Sequence, residues 1–84
     1  MRHKIVYTGK AVRDLSKLDP EARLRIRETL KRYAEAPLRY ARKMVDPALG
    51  TYRFRIGDYR VIFDLDGEEV VILRIGHRRD IYRR

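Results

Sequence analysis

Arg53, Arg55 and Arg60 stand in the second half of this chain, and His77, Arg78, Arg79, Tyr82 and Arg83 follow in its last residues. A guanidinium carries paired N–H donors in a planar fork that matches the oxygens of a phosphate. Histidine is the residue type that exchanges a proton near neutral pH, and a tyrosine ring offers a face on which a nucleic-acid base can stack. Together these types predict binding of a phosphodiester, with His77 as the candidate for proton transfer.

Composition points to the same ligand class. Among 84 residues, 21 are Lys or Arg and 12 are Asp or Glu, a net charge of +9. Such a field favours an anionic partner, nucleic acid ahead of a membrane surface. A hydrophobic fraction of 44% is enough for one small globular domain spanning residues 1–84 and leaves no room for a second. There is no cysteine, and His3 and His77 are the only histidines, so neither a disulfide framework nor a thiolate metal site is expected, and no cofactor. No apolar run is long enough to span a bilayer or serve as a secretory signal, so a cytoplasmic protein is expected. The lack of Asn and Gln, with arginine far outnumbering lysine, is compatible with selection for heat tolerance.

The elements that must position the arginines follow from periodicity. Residues 3–8 read as a strand, and Ala11, Leu15 and Leu18 fall at helical spacing after Gly9. Asp19-Pro20 is a helix start, with Asp as N-cap and Pro at the first position. Ala22, Ile26, Leu30, Tyr33 and Ala34 form one apolar stripe, closed by Pro37, and the arginines of the opposite face read as a solvated surface. Residues 38–49 have no clear period and are expected to form an irregular connection, with Arg39, Arg42 and Lys43 unplaced. Three strands near 50–56, 59–65 and 69–75 are separated by Gly57-Asp58 and Asp66-Gly67, both good hairpin turns. The expected fold is α+β, β-α-α-β-β-β, with a mainly antiparallel four-stranded sheet and two helices on one face.

A two-residue loop at Gly57-Asp58 fixes a register. Ile56 then lies opposite Tyr59, Phe54 opposite Val61 and Tyr52 opposite Phe63 on the core face; Arg55 lies opposite Arg60, Arg53 opposite Ile62 and Thr51 opposite Asp64 on the other. Like charges placed directly opposite are unfavourable by up to about 1 kcal/mol. A solvated face relieved by Asp58 and Asp64 would tolerate them; a bound phosphate would require them.

The run Gly50-Thr51-Tyr52-Arg53-Phe54-Arg55-Ile56-Gly57-Asp58-Tyr59-Arg60-Val61-Ile62-Phe63, followed by Val70 to Tyr82, resembles the C-terminal half of RelE-type toxins of the RelE/ParE superfamily, and the element order is theirs. The resemblance implies a toxin of a type II toxin–antitoxin pair. It would be an endoribonuclease that enters the ribosomal A site and cuts mRNA, with a cognate antitoxin, the ribosome and mRNA as partners. Carried over residue by residue, it assigns the basic sheet positions to Arg53 and Arg55, the strand arginine to Arg60, the tail arginine to Arg78 and the tail tyrosine to Tyr82. His77 matches a histidine of several members, and Arg79 and Arg83 add positive charge for RNA. The best-known member has lysines at the positions of Arg53 and Arg55; arginine does not give up its proton, so these two would hold charge rather than move a proton. The implied reaction is metal-independent attack of a 2′-OH on the adjacent phosphate, with Arg55, Arg60 and Arg78 stabilising the phosphorane. Two alternatives stay open on the same fold: a ParE-like inhibitor of DNA gyrase without nuclease activity, and an RNA-binding module without activity.

Overall fold

A computed structural model describes residues 3–45 and 48–81. The chain runs β1 (Lys4–Tyr7), α1 (Gly9–Ser16), α2 (Pro20–Tyr33), α3 (Pro37–Tyr40), β2 (Arg42–Lys43), β3 (Tyr52–Ile56), β4 (Tyr59–Asp66) and β5 (Glu69–His77). The strands form one sheet in the order β1-β5-β4-β3-β2. The α+β class expected from the sequence holds, and its details need three corrections. The sheet has a fifth, two-residue strand, β2, antiparallel to β3. Pairing of β1 with β5 is parallel, because the helices return the chain to the far edge before the sheet is completed. Pro37 does not close α2, which ends at Tyr33; it opens α3 instead, as its locked φ and missing N–H suit a first helical position.

The caps follow the sequence. The Asp19 carboxylate accepts from the Ala22 N–H at 2.8 Å, and Glu21 lies in the first turn of α2. The Thr8 hydroxyl caps α1 by accepting from the Ala11 N–H at 3.3 Å, and itself donates to the Ile72 carbonyl at 2.8 Å, tying the helix start to β5.

One face of the sheet carries the core. Phe54, Ile56, Val61, Phe63, Val70, Ile72 and Ile75 close over Ala11 and Leu15 of α1 and Ile26 and Leu30 of α2. Phe54 and Phe63 stack at 4.2 Å between ring centroids, flanked by Tyr33 and Tyr52. Burying each such ring or aliphatic side chain stabilises the fold by about 1.5–3 kcal/mol. This small core carries the stability of the domain.

The opposite face is only partly solvated. Ile62 lies there and is fully buried, with the chain entering β3 at Ala48–Gly50 lying beneath the sheet and Gly50 against it. Gly50 is the point of closest approach: its φ is +151°, and a Cβ there would collide with Ile62 Cγ2 and lie 3.0 Å from Leu73 Cδ1. Only glycine fits both the backbone and the space.

Between Ile72 and Arg74 the ladder to β4 slips, since Phe63 pairs with Ile72 but Ile62 pairs with Arg74. Leu73 is thus an extra residue, a β-bulge, and reverses which face the later residues of β5 occupy. Before the bulge Val70 and Ile72 face the core; after it Ile75 does.

Candidate nucleic-acid interface at the end of the sheet

Pairing of β3 with β4 follows the register expected from the Gly57-Asp58 turn: Arg55 lies opposite Arg60, Arg53 opposite Ile62, and Tyr52, Phe54 and Ile56 opposite Phe63, Val61 and Tyr59. Thr51 and Asp64 are joined by a 2.7 Å bond from the Thr51 N–H to the carboxylate. Gly57 takes the left-handed conformation, φ +59°, that such a turn needs.

The arginines of this face differ sharply in environment. Arg55 is exposed, Arg53 half-buried and Arg60 buried, at 8% exposure. Arg60 Nη1 donates to the carbonyls of Gly57 (3.0 Å) and Tyr59 (2.9 Å), so the turn that fixes the register also fixes this guanidinium. A buried charge is tolerated only when hydrogen-bonded, and such bonds hold it in one orientation. Directly across β5, Arg60 faces Gly76, over which Ile81 folds back; a Cβ at Gly76 would lie 3.1 Å from Ile81 Cδ1.

Arg78 reaches the same turn. Its backbone N–H donates to the Asp58 carbonyl at 2.7 Å, and its Nε lies 3.9 Å from Asp58 Oδ1. Arg55, Arg60 and Arg78 therefore gather about residues 57–59. Arg25 of α2 approaches the same turn from the helix side of the sheet: a Cβ on Gly57 would lie 3.1 Å from its Nη2. Nothing in the helical pattern singles out Arg25; the docking of α2 on the sheet brings it to the turn.

His77 goes elsewhere. It pairs with Tyr59, on the helix side of the sheet, with the rings edge to face at 5.8 Å, and it borders a cleft with Lys17, Leu18 and Ile81. Its Nδ1 accepts from the Arg79 N–H at 3.2 Å. The expectation that His77 stands among the sheet guanidiniums is not met, and the cause is the bulge at Leu73, which turns Arg74 and Gly76 to the arginine face and His77 away from it. Arg79 is exposed in the turn after β5. Tyr82 and Arg83, expected to contribute a base platform and charge, lie outside the described residues.

Arg74 shares the arginine face by register but is committed to the fold. Its Nε and Nη2 donate to Asp14 of α1 at 2.8 and 3.3 Å, and this pairing raises its pKa above the usual arginine value.

Comparison with known proteins places this geometry. The family model describing the ParE toxin of the type II toxin–antitoxin system parDE matches residues 5–82. Toxin RelG of Mycobacterium tuberculosis is 38% identical over 87 residues, covering 100% of both chains. Toxin RelE3 of Methanocaldococcus jannaschii is 25% identical over 83 residues, covering 94% of each. Among solved structures, the toxin–antitoxin complex RelBE2 of M. tuberculosis contains a chain with TM-score 0.84 and 32% identity, covering 93% of this chain and all of that one. The archaeal RelE–RelB complex of Pyrococcus horikoshii OT3 shares the fold, with TM-score 0.74 and 23% identity over 95% of this chain and 99% of that one. With a family model spanning nearly its whole length, the chain belongs to the RelE/ParE family of type II toxin–antitoxin toxins.

Proposed function

We propose that this toxin is a metal-independent endoribonuclease that cuts mRNA in the ribosomal A site and is held inactive by a cognate antitoxin in the cytoplasm. The observation that carries the reading is the Arg55–Arg60 pair at the Gly57-Asp58 turn, with Arg78 joined to the same turn. A face selected for stability alone would place an acid opposite one of them. Positive charge held in place before substrate arrives suits a reaction in which negative charge builds on the phosphorane oxygens.

In the reaction the RNA 2′-OH attacks phosphorus, the P–O5′ bond breaks, and a 2′,3′-cyclic phosphate and a 5′-OH result. Arg60, fixed by two carbonyls, and Arg55, exposed opposite it on β3, take the phosphorane charge; Arg78 contributes from the tail. Arg53, Arg79 and Arg83 hold the flanking backbone. With His77 on the helix side, it orders the tail through Arg79, while Tyr82 and solvent carry the protons. Positioning of the 2′-OH for in-line attack falls to the ribosome.

A translation-coupled lysate, in which mRNA ends are mapped with the wild-type chain and with Arg55→Ala, tests this. Codon-phased cuts that vanish with the variant are expected; intact mRNA under the wild-type chain overturns the reading. The ParE description of the family model favours one second reading, a non-nuclease inhibitor of DNA gyrase. It predicts intact mRNA and a block of gyrase supercoiling by the same preparation.

A further inference from the structure

The arginine face has a direction. Toward the Asp66-Gly67 turn it becomes acidic, with Asp64 following Ile62 on β4 and Asp66 paired with Glu69. Between the arginines and those acids the chain entering β3, at Ala48–Gly50, crosses the face by Leu73, with Gly50 against both Ile62 and Leu73. A polyanion bound at Arg55 and Arg60 can neither pass this crossing nor gain from the acids beyond it. On the β5 side, Gly76 lies under Ile81 and Arg74 is engaged by Asp14.

Sideways, across β3, positive charge continues. Arg42 pairs directly with Arg53, so its Cβ is on the arginine face, on the outermost strand, and it is exposed. The face therefore holds two like-charged cross-strand pairs, Arg55–Arg60 and Arg42–Arg53, linked by two positions of β3. Neighbouring strands are about 4.8 Å apart and alternate residues of one strand about 6.8 Å apart. That step along β3 is of the order of the separation between successive phosphates of an extended single strand.

We propose that Arg42 is a phosphate-binding residue of this toxin: the RNA strand held at Arg55 and Arg60 leaves the face across β3 and over the edge at β2, with Arg42 on a backbone phosphate outside the reacting one. This rests on the RNA-cleaving reading above and adds the path of the substrate. Charged residues on an edge strand also discourage pairing with another chain, but Lys43 supplies that on the same strand, and edge protection gives no reason to set Arg42 opposite Arg53.

The test is binding of a fluorescein-labelled 2′-O-methyl oligouridylate, which cannot be cut, to the full chain across a salt series. For a single strand, each phosphate that the protein ceases to neutralise lowers the slope of log affinity against log salt by about 0.7. Arg42→Ala should lower the slope by about that amount, Arg42→Lys should keep it, and Arg39→Ala, which removes an equal charge from neighbouring α3 outside the face, should leave it unchanged. Circular dichroism checks that each variant is folded. Equal decreases for Arg39→Ala and Arg42→Ala would show a general charge effect and overturn the proposal. An unchanged slope for Arg42→Ala beside a lowered slope for Arg55→Ala would overturn it and leave the RNA reading standing. Unchanged slopes for both would remove the reading and the proposal together.

Discussion

Asp14 of α1 holds β5 where β1 has ended: its Oδ2 accepts from the Ile75 N–H at 2.9 Å and from Arg74 Nε at 2.8 Å, and Oδ1 accepts from Arg74 Nη2 at 3.3 Å. One carboxylate thus replaces a missing neighbouring strand just before the chain turns into its tail. Asp14→Ala should destabilise the domain by about 1–3 kcal/mol, because it strands a partly buried N–H. Arg74→Ala should cost less, as the guanidinium is half exposed. Urea unfolding midpoints of the two variants check the order; an Asp14→Ala midpoint equal to wild type would show that the carboxylate is dispensable.

Arg55 and Arg60 are a pair by register and unlike by burial, so their alanine variants should separate. Arg55→Ala should change stability by less than about 0.5 kcal/mol, as exposed substitutions usually do, while mRNA cleavage falls sharply. Arg60→Ala should lower cleavage and also stability, by about 1–3 kcal/mol, since it removes the guanidinium that ties the Gly57 and Tyr59 carbonyls. Thermal melts and end-mapping on the same preparations check both. A wild-type melting temperature for Arg60→Ala would show that its bonds to the turn do not hold the fold.

Much of this site is legible in the sequence alone. A two-residue turn sets an antiparallel register without ambiguity, so Gly57-Asp58 alone predicts Arg55 opposite Arg60, and Asp19-Pro20 places the start of α2. What escapes sequence reading depends on neighbours remote in the chain. Val70 to Ile75 is apolar at nearly every position, so no alternation marks Leu73 as an extra residue, and the face of His77 is decided there; the three-residue step from Ile72 to Ile75 between core positions is the only trace. Arg42 sits in a segment whose own pattern reads as irregular chain, and its place comes from a strand of only two residues, while Arg25 comes to the turn only through the docking of α2. The pairing of β1 beside β5 leaves no local mark at all.

Gly50 should not accept a side chain. Gly50→Ala combines a backbone conformation that other residues rarely adopt with a collision against fully buried Ile62. The expected loss is about 1–3 kcal/mol or more. In an Ile62→Ala background, which lacks the Cγ2 methyl at the point of collision, the same Gly50→Ala change should cost less than in the wild-type chain. A Gly50→Ala protein that unfolds at the wild-type urea concentration would mean that the crossing segment does not press on the sheet.

Tyr7 gives the fold an alkaline limit. Burial raises its pKa, and the nearby Arg27 opposes this less strongly, so the folded state favours the neutral phenol. Stability from this group is full below the ordinary tyrosine value of about 10 and is lost as pH rises through the higher folded value. Tyr7→Phe cannot ionise. Its urea midpoint should therefore fall less than that of wild type between about pH 9 and pH 11; identical declines would exclude Tyr7 as a source of the alkaline loss.

His77 separates two accounts of the chemistry. If it moved the proton, His77→Ala would cost about 10²- to 10⁴-fold in cleavage, the usual range for general acid–base catalysis. The structure sets its ring against Tyr59 on the helix side and its Nδ1 as acceptor from the Arg79 N–H, on the face of the sheet opposite to the Arg55–Arg60 pair. The expected cost of His77→Ala is accordingly about tenfold or less. His77→Asn, whose side-chain oxygen can also accept from the Arg79 N–H, should restore most of it, and the pH profile of cleavage between about pH 5 and pH 8, the span over which an ordinary histidine side chain changes charge, should keep its shape in both variants. A loss of a hundredfold or more, with disappearance of an acidic limb and no rescue by asparagine, would return histidine to the mechanism and require the substrate to wrap around the end of the sheet from the arginine face to Tyr59.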